Sequence, residues 1–240
     1  MRMRIAGVPP LIGVTHGHEV ESSDFRRLAR AGSGDGGGVA QARRQGHCYA
    51  AQYVAGQGRY PGSLEIATVD IVEAASVHAL RERLGGHRID VLFVNAGICK
   101  AHEETPSAVD ERDFVDMMLT NALGPMRAVE LFENLVPANG AIAVMTSELG
   151  SIAGNRGFWE LYSSSKAALN MLMKCFSARH AGDPRALLLI APGWVRTDMG
   201  TSAATLSIEE SIPFVVETVE RSRGRAGLRF IDRNGRTLPW

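Results

Sequence analysis

The sequence predicts an α/β fold, a three-layer α/β/α sandwich on a mostly parallel, doubly wound sheet. Two observations predict it. Short, predominantly apolar runs of strand length recur at residues 64–69, 89–94, 141–146 and 186–191. Between them lie longer segments whose apolar residues return with helical period. Apolar strands that alternate with helices imply a parallel sheet buried on both faces by its own connections.

Residues 11–17, ending in Gly13-Val14-Thr15-His16-Gly17, read as a strand running into a glycine turn. Residues 25–31 suit a short helix. The run Gly32-Ser33-Gly34-Asp35-Gly36-Gly37-Gly38 suits neither a strand nor a helix interior, because glycine loses the most backbone freedom on ordering. From Ser63 the pattern becomes regular. Strand 64–69 ends at Asp70, a helix follows over 72–84, and strand 89–94 leads into Asn95-Ala96-Gly97. A long amphipathic pattern covers 110–135. Strand 141–146, helix 161–180 and strand 186–191 come next, the last stopped by Pro192-Gly193. A helix over 208–221 is expected to be interrupted early by Pro213. A short strand, 228–232, closes on an Asn234-Gly235 turn.

Composition narrows the function classes. The chain has 240 residues, 45% of them hydrophobic, enough for a sizeable core in one domain. Its formal net charge is zero, so no basic surplus points to nucleic acid or an anionic membrane. No apolar stretch approaches the ~20 residues that span a bilayer, and Pro9-Pro10 and Gly13 break the short apolar run behind the first arginines, unlike a signal peptide. Cys48, Cys99 and Cys175 form no metal spacing and read as small, partly buried residues of a reducing cytoplasm. No metal site is expected.

The chemistry gathers around Tyr162-Ser163-Ser164-Ser165-Lys166. At i and i+4 of a helix, Tyr162 and Lys166 share a face one turn apart. A free phenol titrates near 10, and a fixed cation lowers that value. Bringing it to about 7 takes roughly 4 kcal/mol. Ser147 follows the strand at 141–146, at the carboxyl edge where parallel sheets bind ligands. Tyrosine, lysine and serine converging there predict proton transfer to or from a substrate oxygen.

Asp70, Asn95-Ala96-Gly97, Asn121, Ser147, Tyr162-xxx-Lys166 and Pro192-Gly193-Trp194-Val195-Arg196-Thr197 occur in this order. In these pieces, from Ser63 to the C-terminus, the chain resembles the short-chain dehydrogenase/reductase family of NAD(P)-dependent enzymes on a Rossmann-type sheet. The resemblance implies a single NAD(P)-binding domain over 1–240, with 1–62 an irregular cofactor-binding half and 63–240 a regular catalytic half. It implies that Tyr162 is the general acid in reduction and base in oxidation. Lys166 would depress the Tyr162 pKa and bond the nicotinamide ribose, and Ser147 would hold the substrate oxygen. Asn121 would position a water linking Lys166 to solvent; the other reading is a polar residue satisfied locally. Asn95 and Gly97 would sit by the adenosine. Asp70 would bond the adenine amino group, cap the following helix, or both. Thr197 would bond the carboxamide, with Pro192 and Gly193 shaping the turn. A small carbonyl or alcohol substrate, a cytoplasmic location and a homodimer or homotetramer through the helices at 110–135 and 161–180 are further implications.

The N-terminus departs from the family's T-G-x-x-x-G-x-G phosphate turn. Two registers remain. Gly7 and Gly13 can be the outer glycines, with Leu11 between. Alternatively Gly13 and Gly17 are the first two, with Glu19 replacing the third; this register better fits the distance to Asp70 but puts Pro9-Pro10 in the first strand. The second strand is expected to end near residues 39–42. Arg43 and Arg44 follow with no carboxylate, which points to NADP over NAD, or to a solvated basic helix start. The abrupt onset of regularity at Ser63 is also what an altered start or reading frame over 1–62 would produce. Two functions follow: an oxidoreductase acting on a carbonyl or secondary alcohol, and a non-catalytic scaffold or nucleotide sensor with impaired cofactor binding. Phe158, Trp159 and Trp194 line an apolar pocket or serve as core packing.

Overall fold

The computed structural model describes residues 12–15, 48–54, 63–197 and 199–240. Among the described residues seven strands form one sheet: β1 (Ile12–Thr15), β2 (Cys48–Val54), β3 (Ser63–Val69), β4 (Val91–Val94), β5 (Ala141–Met145), β6 (Ala186–Ala191) and β7 (Gly227–Asp232), in spatial order β3-β2-β1-β4-β5-β6-β7. The pairs β4–β5, β5–β6 and β6–β7 are parallel. All residues of β4, β5 and β6 are buried, as strands covered on both faces must be.

The sheet is mostly parallel, with one departure. β1 pairs with β2 in parallel but with β4 antiparallel, and β2 pairs with β3 antiparallel. So β3 shares the direction of β4–β7, while β1 and β2 run the other way. The strand expected to end near residues 39–42 and the helix expected at 25–31 lie outside the described residues.

Five helices pack on this sheet among the described residues: α1 (Ala74–Leu84), α2 (Glu111–Met118), α3 (Gly124–Phe132), α4 (Glu160–Arg179) and α5 (Ile208–Ser222). Alternation along each strand sorts the core into two layers. Leu92, Val94, Ile142, Val144, Leu187 and Leu189 meet Val77 and Leu80 of α1, Val129 and Phe132 of α3, and Leu169 and Phe176 of α4. Val91, Phe93, Ala141, Ala143, Leu188 and Ile190 meet Ile212, Val215, Val216 and Val219 of α5.

Two helices differ from expectation. The pattern at 110–135 is one helical path broken at Leu119–Leu123, where a π-helical turn sits between α2 and α3. Gly124 follows it because a β-carbon there would stand 2.8 Å from the Ile71 carbonyl oxygen. Pro213 does not interrupt α5. It gives up one N–H bond near the start, and the helix is secured ahead of it by a capping box in which the Ser207 hydroxyl accepts from the Glu210 N–H and the Glu210 carboxylate accepts from the Ser207 N–H.

Candidate active site

The carboxyl ends of β4, β5 and β6 open on a cavity of about 310 Å³. Ser147, two residues past β5, lines it, and so do Tyr162 and Lys166 from the first two turns of α4. Helical spacing brings the last two together: the Lys166 Nζ lies 5.8 Å from the centre of the Tyr162 ring. The Ser147 side chain lies close enough to the Tyr162 phenol to lower its pKa, and its hydroxyl accepts the Leu149 N–H at 3.1 Å. Both side chains line the cavity in which a substrate oxygen can sit.

Burial sets the electrostatics. Tyr162 is 8% exposed and Lys166 2%. Loss of water pushes the Lys166 ammonium down from 10.5 to about 8, and its Nζ donates to the Met145 carbonyl at 3.1 Å. Loss of water also pushes the Tyr162 phenol well above its usual 10, against the nearby Ser147 side chain, which lowers it. The expectation that Lys166 draws the phenol toward neutrality is therefore corrected: desolvation of the phenolate outweighs a cation that is itself desolvated and spent on a carbonyl. The phenol keeps its proton. Cys99 sits in the same apolar cluster, its thiol pushed up to about 11 by burial in spite of the Lys166 charge.

Asn121 occupies the π-helical turn and is wholly buried. Its Oδ1 accepts the Ile98 N–H at 2.7 Å, and its Nδ2 donates to the Ile98 carbonyl at 2.8 Å and the Ser165 hydroxyl at 2.9 Å. Both amide N–H groups are used inside the protein, which leaves none for a bridging water. In this geometry Asn121 braces the chain after β4.

Gly97 lies on that braced segment. A β-carbon there would come within 3.3 Å of the Lys166 Nζ and 3.5 Å of the Asn121 Oδ1. Asn95, Gly97, Pro192, Gly193 and Thr197 all line the cavity. Gly193 has φ +81°, and a β-carbon would meet Arg233 Nη1 and Leu206 Cδ1, each at 2.8 Å. The Thr197 hydroxyl donates to the Val195 carbonyl and accepts the Gly200 N–H, which closes the turn.

The remaining candidates stand elsewhere. The Asp70 carboxylate accepts the Val72 N–H at 3.0 Å and its own N–H donates to Ser76, so it holds the turn from β3 to α1. Gly13 lies inside β1, opposite Phe93 and Ala51, not in a turn. Because β1 is antiparallel to β4, its Thr15 end lies at Val91, away from Asn95. That corrects the expected place of Gly13 at the cofactor edge. Gly7, Pro9-Pro10, Gly17, Glu19, Arg43 and Arg44 lie outside the described residues.

One contributor escaped sequence reasoning. The buried Asn170 accepts from the Thr146 hydroxyl at 2.7 Å and donates to the Gly150 carbonyl at 3.1 Å. It ties down both sides of Ser147. Its signal was available, since Asn170 is four residues past Lys166 on the same helix face.

Residues 28–206 match the family model described as short chain dehydrogenase. The chain belongs to the short-chain dehydrogenase/reductase family. It is 35% identical over 161 residues to the C-signal protein of Myxococcus xanthus, covering 63% of this chain and 93% of that one. It is 28% identical over 179 residues to the 1-hydroxy-2-glutathionyl-2-methyl-3-butene dehydrogenase of a Rhodococcus species, covering 72% and 78%. Among solved structures, a short-chain dehydrogenase/reductase of Burkholderia multivorans with bound NADP superposes with TM-score 0.70 and 52% identity, covering 72% of this chain and 75% of that one. A carbonyl reductase of Pseudomonas aeruginosa in complex with NADP gives TM-score 0.65 and 37% identity over the same shares.

Proposed function

We propose that this protein is an NADP-dependent oxidoreductase that interconverts a small carbonyl compound and its secondary alcohol. The observation that carries this is the Tyr162–Ser147 hydroxyl pair with Lys166 in one cavity at the carboxyl edge of the sheet. The residues present fit a dinucleotide: Gly97 leaves open the space beside Lys166 and Asn121 that a β-carbon would fill. NADP, rather than NAD, is the cofactor bound in the similar Burkholderia and Pseudomonas proteins. When bound, the dinucleotide supplies the hydride.

The chain's own residues do the rest. Ser147 orients the carbonyl oxygen toward the phenol. Tyr162, kept protonated by burial, holds the proton which that oxygen takes as it becomes an alcohol. Lys166, Pro192, Gly193 and Thr197 hold the nicotinamide end, and Asn95 sits by the adenosine. The low exposure of Tyr162 and Lys166 keeps water from competing for the same hydrogen bonds. The non-catalytic alternative has no support in a site that keeps Ser147, Tyr162 and Lys166 together.

We further infer one domain in the cytoplasm, assembled as a homodimer or homotetramer; Val115 of α2 and Met171 of α4 are 50% and 57% exposed, large apolar side chains for such a contact. Among the described residues no helix is long and apolar enough to cross a membrane, and no group of His, Cys, Asp and Glu is arranged to hold a metal ion. The test is titration of NADPH into the purified protein, followed by its own fluorescence, and then consumption of NADPH on adding ketones and aldehydes. Saturable binding with carbonyl-dependent consumption is the expected result. No saturable binding of either NADPH or NADH would overturn the proposal.

A further inference from the structure

Beside the Tyr162–Ser147 pair, the cavity wall is built of aromatic rings. Trp159 meets the Tyr162 ring edge-on, with centres 5.9 Å apart and planes at 84°. Phe158 stacks on Trp159 at 5.2 Å and 16°. Trp194, from the loop after β6, stands edge-on to both, at 6.4 Å from Trp159 and 6.5 Å from Phe158. All three rings line the cavity that holds the reacting hydroxyls.

Trp159 packs in part against Met117, Leu161 and Tyr162, but the other two rings are not core packing. Phe158 is 49% exposed and Trp194 39%, so their faces are left open at the mouth. Trp159 is held at φ +47°, in the left-handed region that a bulky residue rarely occupies, immediately before α4 begins. A strained backbone persists where the surrounding structure fixes it, and such positions cluster at ligand sites. Here the strain places the Trp159 ring against the Tyr162 ring. A carbonyl whose oxygen reaches Tyr162 and Ser147 must lay its substituent against this wall. Flat rings prefer edge-to-face or offset contact with other flat rings, and the wall offers both orientations. Among the described residues the one carboxylate lining the cavity is the exposed Glu148, which disfavours an anionic substituent.

We propose that the substrate is an aryl carbonyl compound, uncharged at its ring, and that Trp159, Phe158 and Trp194 select it. This rests on the carbonyl-reducing function proposed above. The test pairs acetophenone with cyclohexyl methyl ketone, which match in carbon skeleton and differ in the π face. Reduction is followed by NADPH absorbance. Dissociation constants of both ketones for the protein without nucleotide come from ligand-observed NMR.

The expected result is a kcat/KM at least ~10-fold higher for acetophenone, equivalent to about 1.4 kcal/mol. Trp159→Leu and Trp194→Leu should each bring that ratio toward one. Trp194 is partly exposed, so its replacement leaves the core intact. If both ketones are reduced equally by the parent, or the preference survives both substitutions, the aryl proposal falls while the reductase function stands. If neither ketone is reduced but acetophenone binds preferentially and Trp194→Leu abolishes the preference, the aryl site stands and the reductase function falls. Without reduction, equal binding or none overturns the aryl proposal too.

Discussion

The two edges of the sheet treat buried charge in opposite ways. At the amino edge, just before β6, the Arg185 guanidinium forks onto Asp183 at 2.6 Å and Glu133 at 3.2 Å, and His180 meets the same Glu133 oxygen. Each charge has a partner, and the shifts follow: the Asp183 bonds raise Arg185, and Arg185 bonding holds Asp183 below its usual value in spite of burial. At the carboxyl edge Lys166 is more deeply buried, donates to a neutral carbonyl, and is pushed down by the lost hydration. Tyr162 beside it is pushed the other way for the same reason. A cation matched by carboxylates fixes a fold. A desolvated cation next to an untitrated phenol is poised for a reaction, and the cost of keeping it there is a mark of function.

The largest effect that tests this contrast is on turnover. Tyr162→Phe removes the proton donor and leaves the ring, its contact with Trp159 and the helix in place. Turnover should fall by about 10²–10⁴-fold, the typical worth of such a group, while the NADPH dissociation constant changes little. Comparable turnover in the variant, on any substrate the parent accepts, would move the acid to another group and remove the functional half of the comparison.

The amino edge should answer in stability alone. Arg185→Ala takes the guanidinium from Asp183 and Glu133, whose side chains are 6% and 15% exposed, and leaves them only the residue-185 N–H and His180, a loss of charge-assisted hydrogen bonds that costs about 2 kcal/mol. Urea denaturation of parent and variant measures it. Turnover per folded molecule should be unchanged, since Arg185 lies at the opposite edge from Tyr162. A loss below about 1 kcal/mol would show that the cluster behaves as a surface pair.

The same contrast explains what the sequence could and could not reveal. Strands β4 to β6 were legible because strands covered on both faces must be apolar throughout, and Tyr162 with Lys166 because helical spacing alone puts them on one face. The reversed direction of β1 and β2 was not, because a hydrophobic period carries no arrow. The π-helical turn at Leu119–Leu123 hid inside an unbroken amphipathic pattern, and with it the reason Asn121 reaches Ile98. Pro213 reads as a break by its own local rule, although the Ser207–Glu210 capping box ahead of it is also legible and secures the helix start. The rise of the Tyr162 pKa was missed because spacing gives the neighbour of a group and says nothing of its exposure to water. Asn170 was overlooked for a different reason: an asparagine in a helix is unremarkable until Thr146 and Gly150 are seen on either side of Ser147.

The smallest effect is a pH dependence, and it bears on whether Lys166 is truly unmatched. Folding lowers its pKa from 10.5 to about 8. Below pH 8 both the folded and unfolded chains hold the proton, and the native state bears the full cost of burying the charge. Between 8 and 10.5 the unfolded chain keeps a proton that the native state has released, so stability rises with pH. The limiting slope is about 1.4 kcal/mol per pH unit, and the gradual titration leaves about 2 kcal/mol between pH 8 and 10. Tyr162 works in the opposite sense above pH 10, where the unfolded phenol ionises and the folded one does not, so the measurement stops there. Lys166→Met keeps the unbranched side chain to within one atom of its length and removes the titration. The stability of the parent minus that of Lys166→Met should therefore climb by about 2 kcal/mol from pH 8 to 10 in urea melts. The parent's kcat/KM should fall over the same range as the ammonium is lost. A flat difference would mean that Lys166 is as well matched as Arg185, and the distinction between the two edges would disappear.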